Sequence, residues 1–323
     1  MTDSEIIRLA EKHHAESGPV CVYLKRGNVT ESFTLGYVSL SGKRYLLVKD
    51  RHGLPIKLIP APERVLPAIQ VKKAAHEDYM GFAGAVSQNA CGAVYPLSIV
   101  EGTQKGDIYT LGKNVLFWHK CGFAFLYGEH DKAVLDEVYN RFMSPESAAD
   151  KRFVLFLEDE ATKSYFDGKA DITVGRRYFF EYGDSTPPEV GELYEGFSLH
   201  KIDETLFDGC TGKITPYFSW DSKEEFLQKG AGFCVTHGDR PVAWAFSASV
   251  GGEEIDIGVE TLPDYRRLGL AAKAAKAMIA YCLGENKRPV WACSSENEGS
   301  RRLAEKVGFV KTAECFTAVR LSR

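Results

Sequence analysis

The chain has 323 residues, 44% of them apolar and 26% charged, with a net charge of −4. That is enough for two or three domains with cores of their own, and no run approaches the ~18 apolar residues of a membrane span. The acidic N-terminus Met1-Thr2-Asp3-Ser4-Glu5 is unlike a signal peptide, and eight scattered cysteines without a C-x-x-C pair predict buried thiols in a reducing, cytoplasmic setting rather than disulfides or a metal site.

Residues 1–72 hold eleven Lys+Arg against seven Asp+Glu, a surplus of four that leaves −8 for the rest. A helix is predicted from about Ser4 to Glu16, then four short strands: Val20 to Leu24, Phe33 to Leu40, Tyr45 to Val48 and Pro55 to Ile59. Glycine turns between them predict a small barrel, and the hairpin rhythm resembles Sm-like or SH3-like barrels. Lys25, Arg26, Lys43, Arg44, Lys49 and Arg51 could touch phosphates, but a surplus of four is more in keeping with a solvated surface than with a nucleic-acid partner. The polar stretch Gln70-Val71-Lys72-Lys73 reads as a joint to the next domain.

From 73 to 190 the expected strands are Tyr95 to Val100, Asp107 to Thr110, Val115 to His119, Phe123 to Leu126 and Phe153 to Leu157, and Tyr178-Phe179-Phe180 closes the region. A helix capped by Asp131 carries Val134, Leu135, Val138 and Phe142 on its buried stripe. His119 beside Trp118 reads as a satisfied histidine in a strand, and His13-His14 as solvated.

From 191 the signals sharpen. Ser222-Lys223-Glu224-Glu225 has capping-box spacing, and Gly230 ends that helix. Gly232 to Thr236 and Val242 to Ala248 are strands joined by the turn formers His237-Gly238-Asp239-Arg240. Ile255, Ile257 and Val259 then alternate with Asp256, Gly258 and Glu260, whereas Ala271, Ala275, Met278 and Cys282 recur at helical spacing. Between these periods lies Arg266-Arg267-Leu268-Gly269-Leu270-Ala271, a glycine-containing loop opening a helix whose unpaired N–H groups suit a pyrophosphate. Gly284 is the expected C′ residue, and Pro289 to Cys293 a buried strand. Asn297 to Gly308-Phe309 is a second helix stopped by glycine. Trp118, Trp220, Trp244 and Trp291 read as core, and Cys293 as a core thiol.

This order of strand, R-x-x-G-x-A, helix, strand and N-x-x-S-x-x-L-A-x-x-x-G-F resembles the acetyl-CoA-binding half of the GNAT superfamily of N-acetyltransferases over residues 191–323. The rhythm of 73–190 repeats it without the phosphate loop, so the whole resembles tandem GNAT proteins such as the acetyltransferase that confers zwittermicin A resistance. The implied architecture is α/β (α+β): a barrel over 1–72, a degenerate GNAT-like domain over 73–190 and a catalytic GNAT domain over 191–323. The resemblance implies direct acetyl transfer from acetyl-CoA, as co-substrate and without a metal, to an amine of a small molecule. The acidic surplus beyond residue 72 favours a cationic acceptor. Val259, Glu260 and Thr261 would lie beside the acetyl group, Arg266, Arg267, Leu268, Gly269, Leu270 and Ala271 would hold the pyrophosphate, and Asn297 and Ser300 would face the CoA arm. Glu260 is the candidate base. Many members place a tyrosine where this chain has Ala304, leaving Tyr265, Tyr281, Ser294 or Ser295 as possible acids. Two other classes fit less of the pattern: an acetyl-CoA sensor that does not turn over, and an acetyltransferase that the barrel directs to RNA or a nucleic-acid-bound protein.

Overall fold

The computed structural model of the chain describes residues 2–12, 19–26, 29–40, 43–60, 69–86, 91–145, 147 and 151–320. The chain divides into two compact units, Met1–Ala68 and Ile69–Arg323.

In the first unit, helix α1 (Asp3–Lys12) precedes β1 (Val20–Arg26), β2 (Val29–Leu40), β3 (Lys43–Lys49) and β4 (Pro55–Pro60), which pair antiparallel in chain order. The expected strands are present, but no pairing of β1 with β4 closes a barrel among the described residues. The sheet is completed from one side by a helix instead. Ile6 and Ala10, one turn apart on α1, are buried with Val22, Leu35, Leu46, Val48 and Ile59. The predicted helix end beyond Lys12, with His13 and His14, lies outside the described residues.

The second unit is built on one sheet of twelve strands. Its elements in chain order are β5 (Val71–Lys73), α2 (Val94–Val100), β6 (Gly106–Leu111), β7 (Asn114–His119), β8 (Phe123–Tyr127), α3 (Lys132–Val138), β9 (Val154–Leu157), α4 (Glu160–Asp167) and β10 (Ile172–Tyr182). Then follow β11 (Phe197–Lys201), α5 (Glu204–Gly209), α6 (Lys223–Lys229), β12 (Gly232–His237), β13 (Arg240–Gly251), β14 (Glu254–Thr261), α7 (Leu270–Gly284), β15 (Arg288–Ser294), α8 (Glu298–Lys306) and β16 (Phe309–Arg320). The strand order is β11-β12-β13-β14-β15-β10-β16-β9-β8-β7-β6-β5.

That order changes the domain boundaries read from the sequence. Val71–Lys73, expected in the joint, pairs with β6 as the sheet's edge strand, so the first break falls at 68/69. At 190/191 the backbone passes between the halves but the sheet does not break. β10 lies between β15 and β16, paired with β16 from Ile172↔Arg320 to Tyr182↔Phe309, while β16 also pairs with β9. Each half thus receives a strand from the other.

Tyr95 to Val100, expected as a strand, is the helix α2. Val94, Tyr95, Pro96, Ser98, Ile99 and Val100 are all buried, and burial on every side erases the period that separates helix from strand. Pro96 sits in the first turn, where its missing N–H costs nothing. The helix lies directly on β13: a Cβ at Gly251 would fall 2.3 Å from the Val94 carbonyl oxygen. Buried Gln104 joins the halves beside it, donating to Ser219 O and Ala248 O and accepting from Ser249 Oγ at 2.9 Å. Asp131 caps α3 through the Val134 N–H as expected. Helix α7 runs through Gly284, and the left-handed residue that closes it is Asn286, with φ 54°, not Gly284, while Lys287 N–H closes on Cys282 O. Of the described cysteines, all seven are free thiols, and all but Cys91 are buried.

Candidate functional site

Strand β14 pairs antiparallel with β13 along its length but parallel with β15 only from Glu254↔Arg288 to Asp256↔Val290. Beyond Asp256 the two strands part. Leu262 N–H bonds Val242 O, so by the alternation of an antiparallel ladder the N–H groups of Glu260 and Gly258 also face β13. Those of Val259 and Thr261 face the opening. A wedge with free backbone donors therefore lies between β14 and β15.

The chain leaves β14 through Leu262 and a 3₁₀ turn over Pro263–Tyr265. Arg267 has φ 66° and Gly269 φ 76°, so successive N–H groups turn inward at the start of the fifteen-residue helix α7, and no side chain caps it. This is the geometry of a backbone anion nest on a helix dipole. Holding a non-glycine residue left-handed costs about 1–2 kcal/mol. The sequence shows the glycine but not the strain at Arg267. A Cβ placed on Gly269 would meet no protein atom within 4 Å, so the position needs glycine for its backbone angle and leaves the space in front of it open.

Wedge and nest open into one cavity of about 670 Å³. Of the residues read from the sequence, Val259, Glu260, Thr261, Arg266, Arg267, Gly269, Leu270, Ala271, Asn297 and Ser300 all line it, and Leu268 faces a neighbouring hollow. Lys213, Arg302 and Lys306 are further cations on its wall; Arg302 is paired with Glu298 at 2.6 Å. No carboxylate pairs with Arg266, Arg267, Lys213 or Lys306 among the described residues. Asn297 spends its Oδ1 on capping α8 through the Ser300 N–H, and Ser300 Oγ accepts from Trp291 Nε1 at 3.0 Å, tying α8 to β15.

Glu260 is half-buried. Its Oε2 accepts the Ile214 N–H at 2.5 Å, and a Cβ on Gly212 would fall within 2.8 Å of both carboxylate oxygens. Trp244, opposite Glu260 in the β13–β14 ladder, donates from Nε1 to Ile214 O at 2.8 Å. One cross-strand pair thus grips the Gly212–Ile214 loop from both sides, and the loop fixes the carboxylate. Sequence reasoning missed this support, because only the register of β13 on β14 brings the loop there.

The other residues singled out in the sequence fall as follows. Ala304 is fully buried in the core under α7 and α8. Of the alternative hydroxyls only Tyr265 reaches the cavity wall, and its OH is tied to His237 Nδ1 at 3.1 Å. Cys293 is buried, and burial pushes its thiol up, away from a nucleophile's range. His119 is buried, its Nδ1 lies 3.1 Å from Cys121 Sγ, and burial holds it down at about 3.

In the preceding half, β8 and β9 pair in register from Phe123↔Val154 to Phe125↔Phe156, and β8 runs into Gly128-Glu129-His130-Asp131. Asp131 occupies the helix N-terminus there, and His130 lies 3.5 Å from Asp159. That loop offers carboxylates where the other offers arginines.

The sequence model of the GNAT acetyltransferase family matches residues 94–317. The chain belongs to that family. An uncharacterized N-acetyltransferase of Bacillus subtilis, YdfB, is 29% identical over 225 residues, 67% of this chain and 86% of the relative. Among solved structures, a GCN5-related N-acetyltransferase-like protein from Streptococcus suis superimposes with a TM-score of 0.60 at 22% identity, over 76% of this chain and all of its own. A tandem GNAT protein from the clavulanic acid biosynthesis pathway gives 0.51 at 11% identity, over 79% and 99% of the two chains. The chain is a GNAT N-acetyltransferase with the tandem arrangement in its fold. Members of the family use acetyl-CoA, and the open space before Gly269, the inward N–H groups and the unpaired cations fit its pyrophosphate. Among the described residues no helix is long and apolar enough to cross a membrane.

Proposed function

We propose that this GNAT protein transfers an acetyl group from acetyl-CoA directly to a primary amine of a small, cationic molecule, in the wedge between β14 and β15. The observation that carries the reading is the meeting, in one cavity, of the anion nest, four unpaired cations, the free strand donors and a single carboxylate, Glu260. Bound there, acetyl-CoA supplies an acyl group already activated as a thioester. The N–H groups of Arg267 to Ala271, with Arg266 and Arg267, bind the pyrophosphate. The outward N–H of Val259 or Thr261 donates to the thioester carbonyl and holds the charge that gathers on its oxygen during attack.

Glu260 takes the amine's proton. An alkyl amine has a pKa near ~10, so at neutral pH nearly all of it is ammonium and must be deprotonated before it attacks. The Ile214 N–H orients Oε2, leaving the other oxygen for the acceptor. Cys293, buried and protonated, supports direct transfer over an acyl-enzyme. With Ala304 in the core, the sulfur leaves without a tyrosine beside it and takes its proton from water.

The test is continuous detection of thiol released from acetyl-CoA across a panel of amines, with mass spectrometry of the products. Release that depends on the amine and is matched by amide supports the reading. Slow release that is the same with or without any amine would leave hydrolysis only and overturn it.

A further inference from the structure

A second hollow, of about 290 Å³, opens beside the nest. Gly269, Leu270, Ala272 and Lys306 line both this hollow and the larger cavity, so the two meet at the start of α7. A further wall comes from the segment 183–196, which carries the chain from β10 to β11 and so joins the two halves. The segment has no helix or strand of its own, yet it is strapped to α7. Lys273 Nζ donates to Val190 O at 2.7 Å and Lys276 Nζ to Glu189 O at 2.9 Å. Gly191, at φ 71°, passes so close that a Cβ on it would fall 2.8 Å from Lys273 Nζ. Leu193 then packs into the cluster that holds Leu270.

The next residue is left outside. Tyr194 lines the hollow and is 66% exposed, with Leu268 on the same hollow 42% exposed. A lone exposed ring is ordinary, but this one borders a cavity that adjoins an anion site. Lys273, Lys276 and Lys306 bring three positive charges to that cavity, against the single exposed carboxylate of Glu192. No carboxylate pairs with any of the three among the described residues. An ammonium has three donors, so Lys273 and Lys276 keep some after holding the segment, and Lys306 keeps all of its own.

The inference rests on the reading of Arg267 to Ala271 as the pyrophosphate site. From there the pantetheine ester runs into the wedge toward Val259. The other ester is adenosine, whose 3′-phosphate carries nearly two negative charges at neutral pH, and it must leave the nest by another path. We propose that the segment joining the halves is part of the cofactor site and receives the adenosine end of CoA, its adenine on the Tyr194 ring beside Leu268 and its 3′-phosphate on Lys306. The charges of Lys273 and Lys276 reinforce that phosphate site while their hydrogen bonds hold the segment in place. The chain's first half thus reaches the cofactor through its exit segment, although the thioester lies wholly in the second.

The experiment is calorimetric titration of the full chain with CoA and with 3′-dephospho-CoA at pH 7.5, melting of each variant checking that it is folded. The expected result is CoA bound at least tenfold more tightly than 3′-dephospho-CoA. Tyr194→Ala should weaken CoA by roughly five- to a hundredfold, the range for removing a ring from under a base, and Tyr194→Phe should bind as the native chain does. Lys306→Met should bring CoA down to the affinity of 3′-dephospho-CoA and leave the latter unchanged. Equal affinity for the two ligands in the native chain, unchanged CoA affinity in folded Tyr194→Ala, or equal loss of both ligands in Lys306→Met would each overturn the assignment with the cradle still standing. No binding of CoA at all would overturn the pyrophosphate reading itself, and this assignment with it.

Discussion

Gly269 separates two reasons for a glycine, and Gly269→Ala measures both. The first is conformational. At φ 76° a Cβ costs about 1–2 kcal/mol in the free protein, and nothing else opposes it, because the new methyl would meet no protein atom within 4 Å. For a unit the size of Ile69–Arg323, ~1 kcal/mol shifts Tm by about 2–4 °C, so the variant should melt about 2–8 °C lower and still fold. The second reason is the ligand. If the open space is where pyrophosphate oxygens meet the backbone, the methyl displaces at least one charge-assisted hydrogen bond of about 1.5–3 kcal/mol, a loss of roughly ten- to a hundredfold in acetyl-CoA affinity. Gly238 supplies the control: it has φ 59°, an equally empty Cβ position, and a place in the β12–β13 turn outside the cavity. Gly238→Ala should lower Tm similarly and leave calorimetric affinity untouched. Unchanged acetyl-CoA affinity in a Gly269→Ala protein that shows the expected drop in Tm would refute the cradle.

Glu260→Gln keeps an oxygen for the Ile214 N–H, so acetyl-CoA binding should persist while turnover falls by ~10²–10⁴, the loss shrinking as pH nears the amine's own pKa; wild-type rates across that range would remove Glu260 as the base. Truncation reads the interleaved sheet. A chain beginning at Ile69 should fold by circular dichroism and keep its rate on a small amine, whereas one beginning at Gly191 lacks β10 and exposes the facing edges of β15 and β16, so a soluble, cooperatively melting 191–323 fragment would contradict the topology. Asp256→Asn should stabilise the protein near pH 7.5. The folded carboxyl sits at about 6 against an ordinary 3.8, so the native state binds the extra proton between those values and stability falls as pH rises through them, by on the order of 3 kcal/mol. Thermal melts should show the gain vanish near pH 4, and a pH-independent difference would rule out ionisation as its cause.

The loop and helix start at Arg266–Ala271 were legible because they are local. Period-two and helical patterns met at Arg266–Ala271, and a helix start needs only neighbours in sequence to become an anion site, so ten of the eleven residues read there line one cavity. What holds the Glu260 carboxylate in place was not local. Gly212 and Ile214 reach it across β13, and no spacing in the chain announces that contact. The same limit explains the domain boundaries. The hydrophobic run of β10 reads as the last strand of its half, yet its partners lie more than a hundred residues ahead at Ser294 and Cys315. α2 failed as a strand because a helix buried on all sides has no polar face to reveal its period. The first unit kept its expected strands and lost its barrel, since alternation marks strands and glycine marks turns, but neither states whether a sheet closes on itself or is covered by a helix.

A crystal structure of the chain with CoA locates the cofactor directly. The pyrophosphate should lie on the backbone N–H groups of Arg267 to Ala271, with the sulfur in the wedge where β14 and β15 part, beside Val259 to Thr261. CoA bound instead at the Gly128–Asp131 loop of the preceding half, or on the outer surface with the wedge empty, would contradict that placement.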